Sequence, residues 1–247
     1  IYTYFRPTIM NKIPFFLIIF TLLLAACSNK DQQLNETQAL YKQALGNKDA
    51  TTVKLALNQL LLLDSTNTEY QDSLSRVYMR NGNFEAGLKY AELVYNQGQA
   101  KSKLKENMAL AYQQIGETEK AEKFIDNLIA ETRLYKYVYQ KLVIYYENGN
   151  QPLFDSLSTE ILEQVETDSL MAATSVPMPG PVSGIQQLVP IKAATLFLIG
   201  NNELERKQDV NTAVLYLKRS IEEYDQFEMP RYVLMELEKM MYSGGRR

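Results

Sequence analysis

The 247-residue chain contains no histidine, no tryptophan and a single cysteine, Cys27. Without histidine there is no Ser-His-Asp triad and no imidazole metal ligand. One cysteine excludes an internal disulfide. Neither G-x-G-x-x-G nor G-x-x-x-x-G-K-[ST] occurs, and Met178-Pro179-Gly180-Pro181 lacks the lysine and helix start of a phosphate loop. A basic excess is also missing, since the formal net charge is -3. Arg6 and Lys12 are the only charges before Cys27, so the remainder is more acidic still. A phosphate backbone needs a basic face, so nucleic acid is excluded as a partner. Acid pairs such as Glu222 and Glu223 are ordinary on helical surfaces. The expectation is a chain that is not an enzyme and takes no cofactor and no metal.

Long apolar runs are scarce. Ile13 to Leu24 is the longest, at twelve residues. A spanning helix needs about 20, whereas the apolar core of a signal peptide runs roughly 7–15. Lys12 precedes the run, and Leu24-Ala25-Ala26-Cys27 ends it. This resembles the lipobox of bacterial lipoproteins. The resemblance implies cleavage before Cys27 and acylation (palmitate among the chains) of its thiol. The plainer alternative is an ordinary signal peptide with a chance cysteine nearby. Residues 1–9 then read as an upstream extension, 10–26 as the signal peptide and 27–33 as a polar tether. Serine at position 28, where an aspartate would resemble an inner-membrane retention signal, favours the outer membrane with the body facing the periplasm.

The body is repetitive. Tyr78 and Tyr112 are 34 residues apart, and so are Gly82 and Gly116. The segments Leu74 to Val94 and Met108 to Leu128 align as L-x-x-x-Y-x-x-x-G-x-x-x-x-A and resemble tetratricopeptide repeats (TPR). With Tyr78 at position 11, repeats start at Thr68 and Ser102. Positions 8 and 20 carry Ser75 and Gly87, then Ala109 and Ala121, small enough for two helices to cross closely. Gly82 and Gly116 follow the first helix of each unit, where a C-cap needs positive φ.

The resemblance implies an all-α solenoid of about five helical hairpins with a capping helix. Residues 34–169 hold four TPR-like repeats, clearest in 68–101 and 102–135. In the first, Leu40, Ala44, Val53, Leu57 and Leu60 fall at core positions. In the fourth, Lys136–Ser169, Asp155 stands at position 20; a shift of one residue puts Phe154, Leu157 and Ile161 inward instead. Residues 170–190 read as a Pro/Gly-rich loop, because four prolines between Ser175 and Pro190 forbid a regular helix. Residues 191–242 read as a further hairpin plus a capping helix begun by Pro230. Residues 243–247 read as a disordered tail.

Helix A positions 2, 5, 9, 12 and 13 line the concave groove in this family. That places Arg76, Met79, Arg80, Lys103, Leu110, Gln113, Tyr137 and Ile144 on a candidate partner-binding groove, with Tyr139 and Tyr146 in the core. The two-carboxylate clamp of chaperone-binding members would need Lys and Asn at Asp72 and Arg76, and it is absent. The expected function is a membrane-anchored scaffold for protein partners in the bacterial envelope, an adaptor of an assembly or secretion complex. The rival is a ligand- or glycan-binding lipoprotein; the lack of indole rings speaks against it.

Overall fold

Capping side chains divide the chain into helices. Asp49 accepts hydrogen bonds from the Thr51 and Thr52 amides and opens α2 (Ala50–Leu63) behind α1 (Ile13–Gly46). Asn67 does the same for α3 (Thr68–Arg80), and Asn83 caps α4 (Phe84–Asn96). α5 (Ser102–Gln114) and α6 (Thr118–Thr132) follow, then α7 (Tyr135–Glu147). Asn150 opens α8 (Gln151–Val165) and Asp168 the short α9 (Ser169–Ala172). Two strands, β1 (Ser175–Pro179) and β2 (Gln186–Pro190), precede α10 (Ile191–Glu205). Asp209 caps α11 (Val210–Glu223), and α12 (Glu228–Gly244) ends the fold. Such oxygens satisfy amides that a helix start leaves unpaired.

In this computed structural model the backbone is described for residues 13–181 and 186–244, and side chains for 30–181 and 186–241. Leu24, Ala25, Ala26 and Cys27 lie outside the described side chains, as do the expected extension 1–9 and most of the tail. Among the described residues no helix is long and apolar enough to cross a membrane.

The chain forms two compact units, residues 1–100 and 101–247. In the first, α1 packs on α2 and α3 on α4. Its core gathers Ala44, Val53, Leu57, Leu60 and Leu74, flanked by Tyr41, Tyr70, Tyr78 and Tyr90. Leu40, expected there, is 38% exposed instead. The Tyr78 and Tyr90 rings stack with centroids 5.9 Å apart. The close crossing is real: a Cβ on Gly87 would meet Met79 Cγ at 2.5 Å and the Ser75 carbonyl at 3.1 Å.

The second unit repeats that arrangement once. Tyr112 and Phe124, each 34 residues beyond Tyr78 and Tyr90, stack at 5.6 Å, and Ala109 and Ala121 are fully buried at the crossing. Gly82 and Gly116 both adopt positive φ, at 73° and 78°. The period then slips. α3 and α5 begin 34 residues apart, at Thr68 and Ser102, but α7 begins at Tyr135, only 33 after Ser102. The next positive-φ glycine, Gly149, is likewise 33 beyond Gly116. Phe154 and Ile161 are buried, as the shifted frame requires.

Beyond α8 the unit gathers one apolar core from α7, α8, the strands, α10, α11 and α12. The segment read from sequence as a loop is a short helix and an antiparallel hairpin, with Val176, Met178 and Val189 turned into that core. Gln187 fastens the hairpin by donating to the Gln226 carbonyl at 2.9 Å and accepting from the Glu228 amide at 3.2 Å. α10 is buried on nearly every side, and its Gly200 lies against α11, where a Cβ would meet Leu217 Cγ at 3.0 Å and the Ala213 carbonyl at 3.3 Å.

Candidate functional site

The eight groove residues divide between the units. Arg76, Met79 and Arg80 lie on α3 in the first. Arg76 and Arg80 are exposed, and Arg76 pairs with Asp72 at 3.0 Å, one turn back. Met79 is half-buried and leans on Gly87 of α4, with the Ser75 hydroxyl 3.8 Å from its sulfur. It belongs to the helix crossing more than to an open face.

The other five lie in the second unit, on α5 and α7. Lys103 is exposed and pairs with Glu106 at 3.4 Å. Leu110 is 47% exposed, and Gln113 donates to a carboxylate oxygen of Glu147 on α7. Tyr137 and Ile144 are corrected by the structure: they are 3% and 0% exposed and out of reach of a partner. The cause is the 33-residue step. One residue rotates a helix by about 100°, which turns Tyr137 and Ile144 into the interior. Of their neighbours, Glu147 is exposed, while Lys136 and Val143 are half-buried. Lys136 and Val143 are the residues that the sequence frame missed, and the Gly116-to-Gly149 spacing was the signal for them; Glu147 falls on the groove side in either frame.

What remains on this face is a half-exposed leucine between two polar cross-links. At one end Glu106 accepts from the Tyr137 hydroxyl at 3.2 Å and pairs with Lys136 at 3.4 Å. At the other, Gln113 meets Glu147, and Thr118 donates to the Asn148 side chain at 3.0 Å. The Lys136 ammonium also lies over the Tyr137 ring, 4.5 Å from its centroid. Burial pulls the Lys136 pKa down, but Tyr137 and Glu106 more than offset it, and the group titrates above the ordinary lysine value. Burial raises the Tyr137 hydroxyl above the tyrosine value. Lysine stays charged and tyrosine neutral near pH 7, so neither serves as base or nucleophile there. The chemistry offered is recognition: a cation, paired carboxylates, amides and one apolar contact. Among the described residues, no group of three or more Cys, Asp or Glu side chains is placed to hold a metal.

Tyr139 is buried, as expected; its hydroxyl lies 3.4 Å from Met178 Sδ of β1, and burial pushes its pKa well above the ordinary value. Tyr146 is half-buried and donates to Glu205 at 2.5 Å. Arg206 donates to the Tyr146 carbonyl at 2.6 Å and lies over its ring, closing the C-terminal end of α7.

No protein-family model and no curated protein matches the chain. Solved structures do. One is the crystal structure of MamA protein, at TM-score 0.56 and 16% identity, covering 79% of this chain and 94% of that one. Another is the crystal structure of YrrB, described as "a TPR protein with an unusual peptide-binding site", at TM-score 0.57 and 11% identity, covering 86% of this chain and 97% of that one. Identities this low speak to the fold. Together with the repeated Tyr, Gly and small-residue positions, they show that this chain has the all-α tetratricopeptide-repeat fold.

Proposed function

We propose that the chain is a lipid-anchored scaffold that binds protein partners through the accessible helix A face of its second unit. The observation that carries this reading is Leu110. It stands 47% exposed on α5, between the Glu106–Lys136 pair and the Gln113–Glu147 contact. A partner that covers Leu110 gains apolar burial within a rim of satisfied polar groups, the usual anatomy of a protein interface. The peptide-binding site named for YrrB supports a peptide or helix as the ligand class.

The anchor is Cys27, after the Leu24-Ala25-Ala26 lipobox, in the outer membrane with the body facing the periplasm. The partner is an envelope protein, and the role is that of an adaptor in an assembly or secretion complex. Several acyl chains on one cysteine anchor stably, since each buried CH₂ contributes about 0.8 kcal/mol.

Crosslinking in intact cells followed by pull-down tests the face. Leu110→Glu combined with Glu147→Lys is expected to abolish capture of a stoichiometric envelope protein while the far-UV circular dichroism stays helical. Capture of the same partner at the same yield would remove the helix A face from consideration. Cys27→Ala is expected to leave an uncleaved precursor that no longer partitions with detergent-extracted lipoproteins. Normal processing of that variant would sink the anchor.

A further inference from the structure

The inserted hairpin has two edges of unlike chemistry. Its register sets Ser175 opposite Pro190, Val176 opposite Val189, Pro177 opposite Leu188, Met178 opposite Gln187 and Pro179 opposite Gln186. Opposed residues of an antiparallel ladder alternate between pairs that exchange backbone hydrogen bonds and pairs that do not. The Ile191 amide donates to the Thr174 carbonyl at 2.9 Å, one step beyond the Ser175–Pro190 pair. The bonded pairs are therefore Val176–Val189 and Met178–Gln187. Residues 175, 177 and 179 on β1, and 186, 188 and 190 on β2, turn their backbone groups outward.

Prolines occupy 177, 179 and 190, all in the outward set, so the ladder loses no donor. The edges lose them instead. β1 keeps one outward N–H, that of Ser175. β2 keeps two, those of Gln186 and Leu188, beside the outward carbonyls of the same two residues; Pro190 is the N-cap of α10, and its carbonyl serves that helix. β2 also lacks the charges with which natural edges repel added strands. Leu188 is 68% exposed, and among the described residues nothing outside the strands accepts its amide.

We propose that the β2 edge, Gln186–Pro190, binds an extended peptide segment of a partner protein by strand addition, with Leu188 packed against an apolar side chain of that segment. This goes beyond the helix A reading and does not depend on it. The occupant follows from length. Five residues at about 3.4 Å each give an edge of about 17 Å. Two copies paired along it would bury far less than the roughly 800 Å² per partner of a stable dimer. A short extended peptide matches it, with main-chain hydrogen bonds for affinity and alternate side chains for selectivity.

The test pans a library of short linear peptides against the purified full chain and titrates the selected peptides by calorimetry. Leu188→Pro removes an N–H that the hairpin itself does not use, at a position already extended. Selected peptides are expected to bind this variant about tenfold more weakly and to bind Leu110→Glu as they bind the wild type. Methylating the amide nitrogens of alternate peptide residues is expected to weaken binding in one phase and not in the other. That series decides the matter even if Leu188→Pro fails to fold. A library that yields no binder overturns the proposal. So do peptides that tolerate both Leu188→Pro and methylation in either phase. Binding lost only in Leu110→Glu would assign the peptides to the helix A face and overturn the edge as their site.

Discussion

α3 and α10 are the same element of the repeat, the first helix of a hairpin, in opposite surroundings. Of the 13 residues of α3, Gln71, Leu74 and Ser75 are buried. Of the 15 residues of α10, eleven are buried. A helix buried along one stripe displays its period in the sequence; one enclosed on most sides has no stripe to display. Yet the packing rule survives enclosure. Each hairpin still crosses over a glycine, Gly87 on the second helix of one and Gly200 on the first helix of the other. What is kept is the close approach, not the residue number at which it occurs.

The largest effect expected from this contrast is at Phe227, fully buried with its ring 5.2 Å from Phe197 of α10. Phe227→Ala should cost about 3–5 kcal/mol in urea unfolding. Val77→Ala, on half-buried α3, should cost clearly less. Equal losses would erase the distinction between the two helices. Next is Ala121→Leu, at the fully buried crossing of α5 and α6. Overpacking there should cost about 1–3 kcal/mol, and an unchanged melting temperature would show that this crossing is not tight.

Enclosure also has a cost on α10. Asn202 is 1% exposed, and neither amide atom finds a hydrogen-bond partner among the described residues. Asn202→Leu should raise stability by about 1 kcal/mol, because it removes an unmet desolvation cost. A lower melting temperature would show that the amide is satisfied after all.

The smallest effect concerns the helix caps, which the two units share. Asp49 is held below its ordinary pKa by the Thr52 hydroxyl first and then by the Thr52 amide. Asp209 is held below it by the Thr212 amide first and then by the Thr212 hydroxyl. A depressed folded pKa contributes stability above the unfolded value, about 3.9, and loses it as pH falls through the folded value. Melting temperature should therefore be flat from pH 5 to 7 and fall below about pH 4. Asp49→Asn with Asp209→Asn keeps both caps without the titration, so it should make that fall shallower.

The legible parts of the fold are those where backbone or packing demands a residue type. Gly82 and Gly116 adopt positive φ, and Ser75, Ala109 and Ala121 sit at crossings with no room for more. The candidate face was legible on α5, where Leu110 and Lys103 are exposed as the frame requires. It was misread on α7, because carrying a strict 34-residue period past Gly116 rotates every later position. The hairpin shows another limit. Its prolines exclude a helix but do not say which segment pairs with which, since strand pairing is settled between residues far apart in the chain. The last helix begins at Glu228, two residues before the expected Pro230. Pro230 nevertheless sits in its first turn, where proline leaves no intrahelical bond unmade.

The hairpin alters how the second unit comes apart. In a plain solenoid each repeat touches only its neighbours, so the array can fray from one end. Here β1 packs on α7 while Gln187 of β2 holds the backbone at Gln226 and Glu228, where α12 begins. One short insert thus joins the fourth hairpin to the capping helix, across the fifth. In native-state hydrogen exchange, the amides of α7, α10 and α12 should open together rather than in order of distance from the C-terminus. A single protease cut in the turn of the hairpin would restore the independence that the insert takes away.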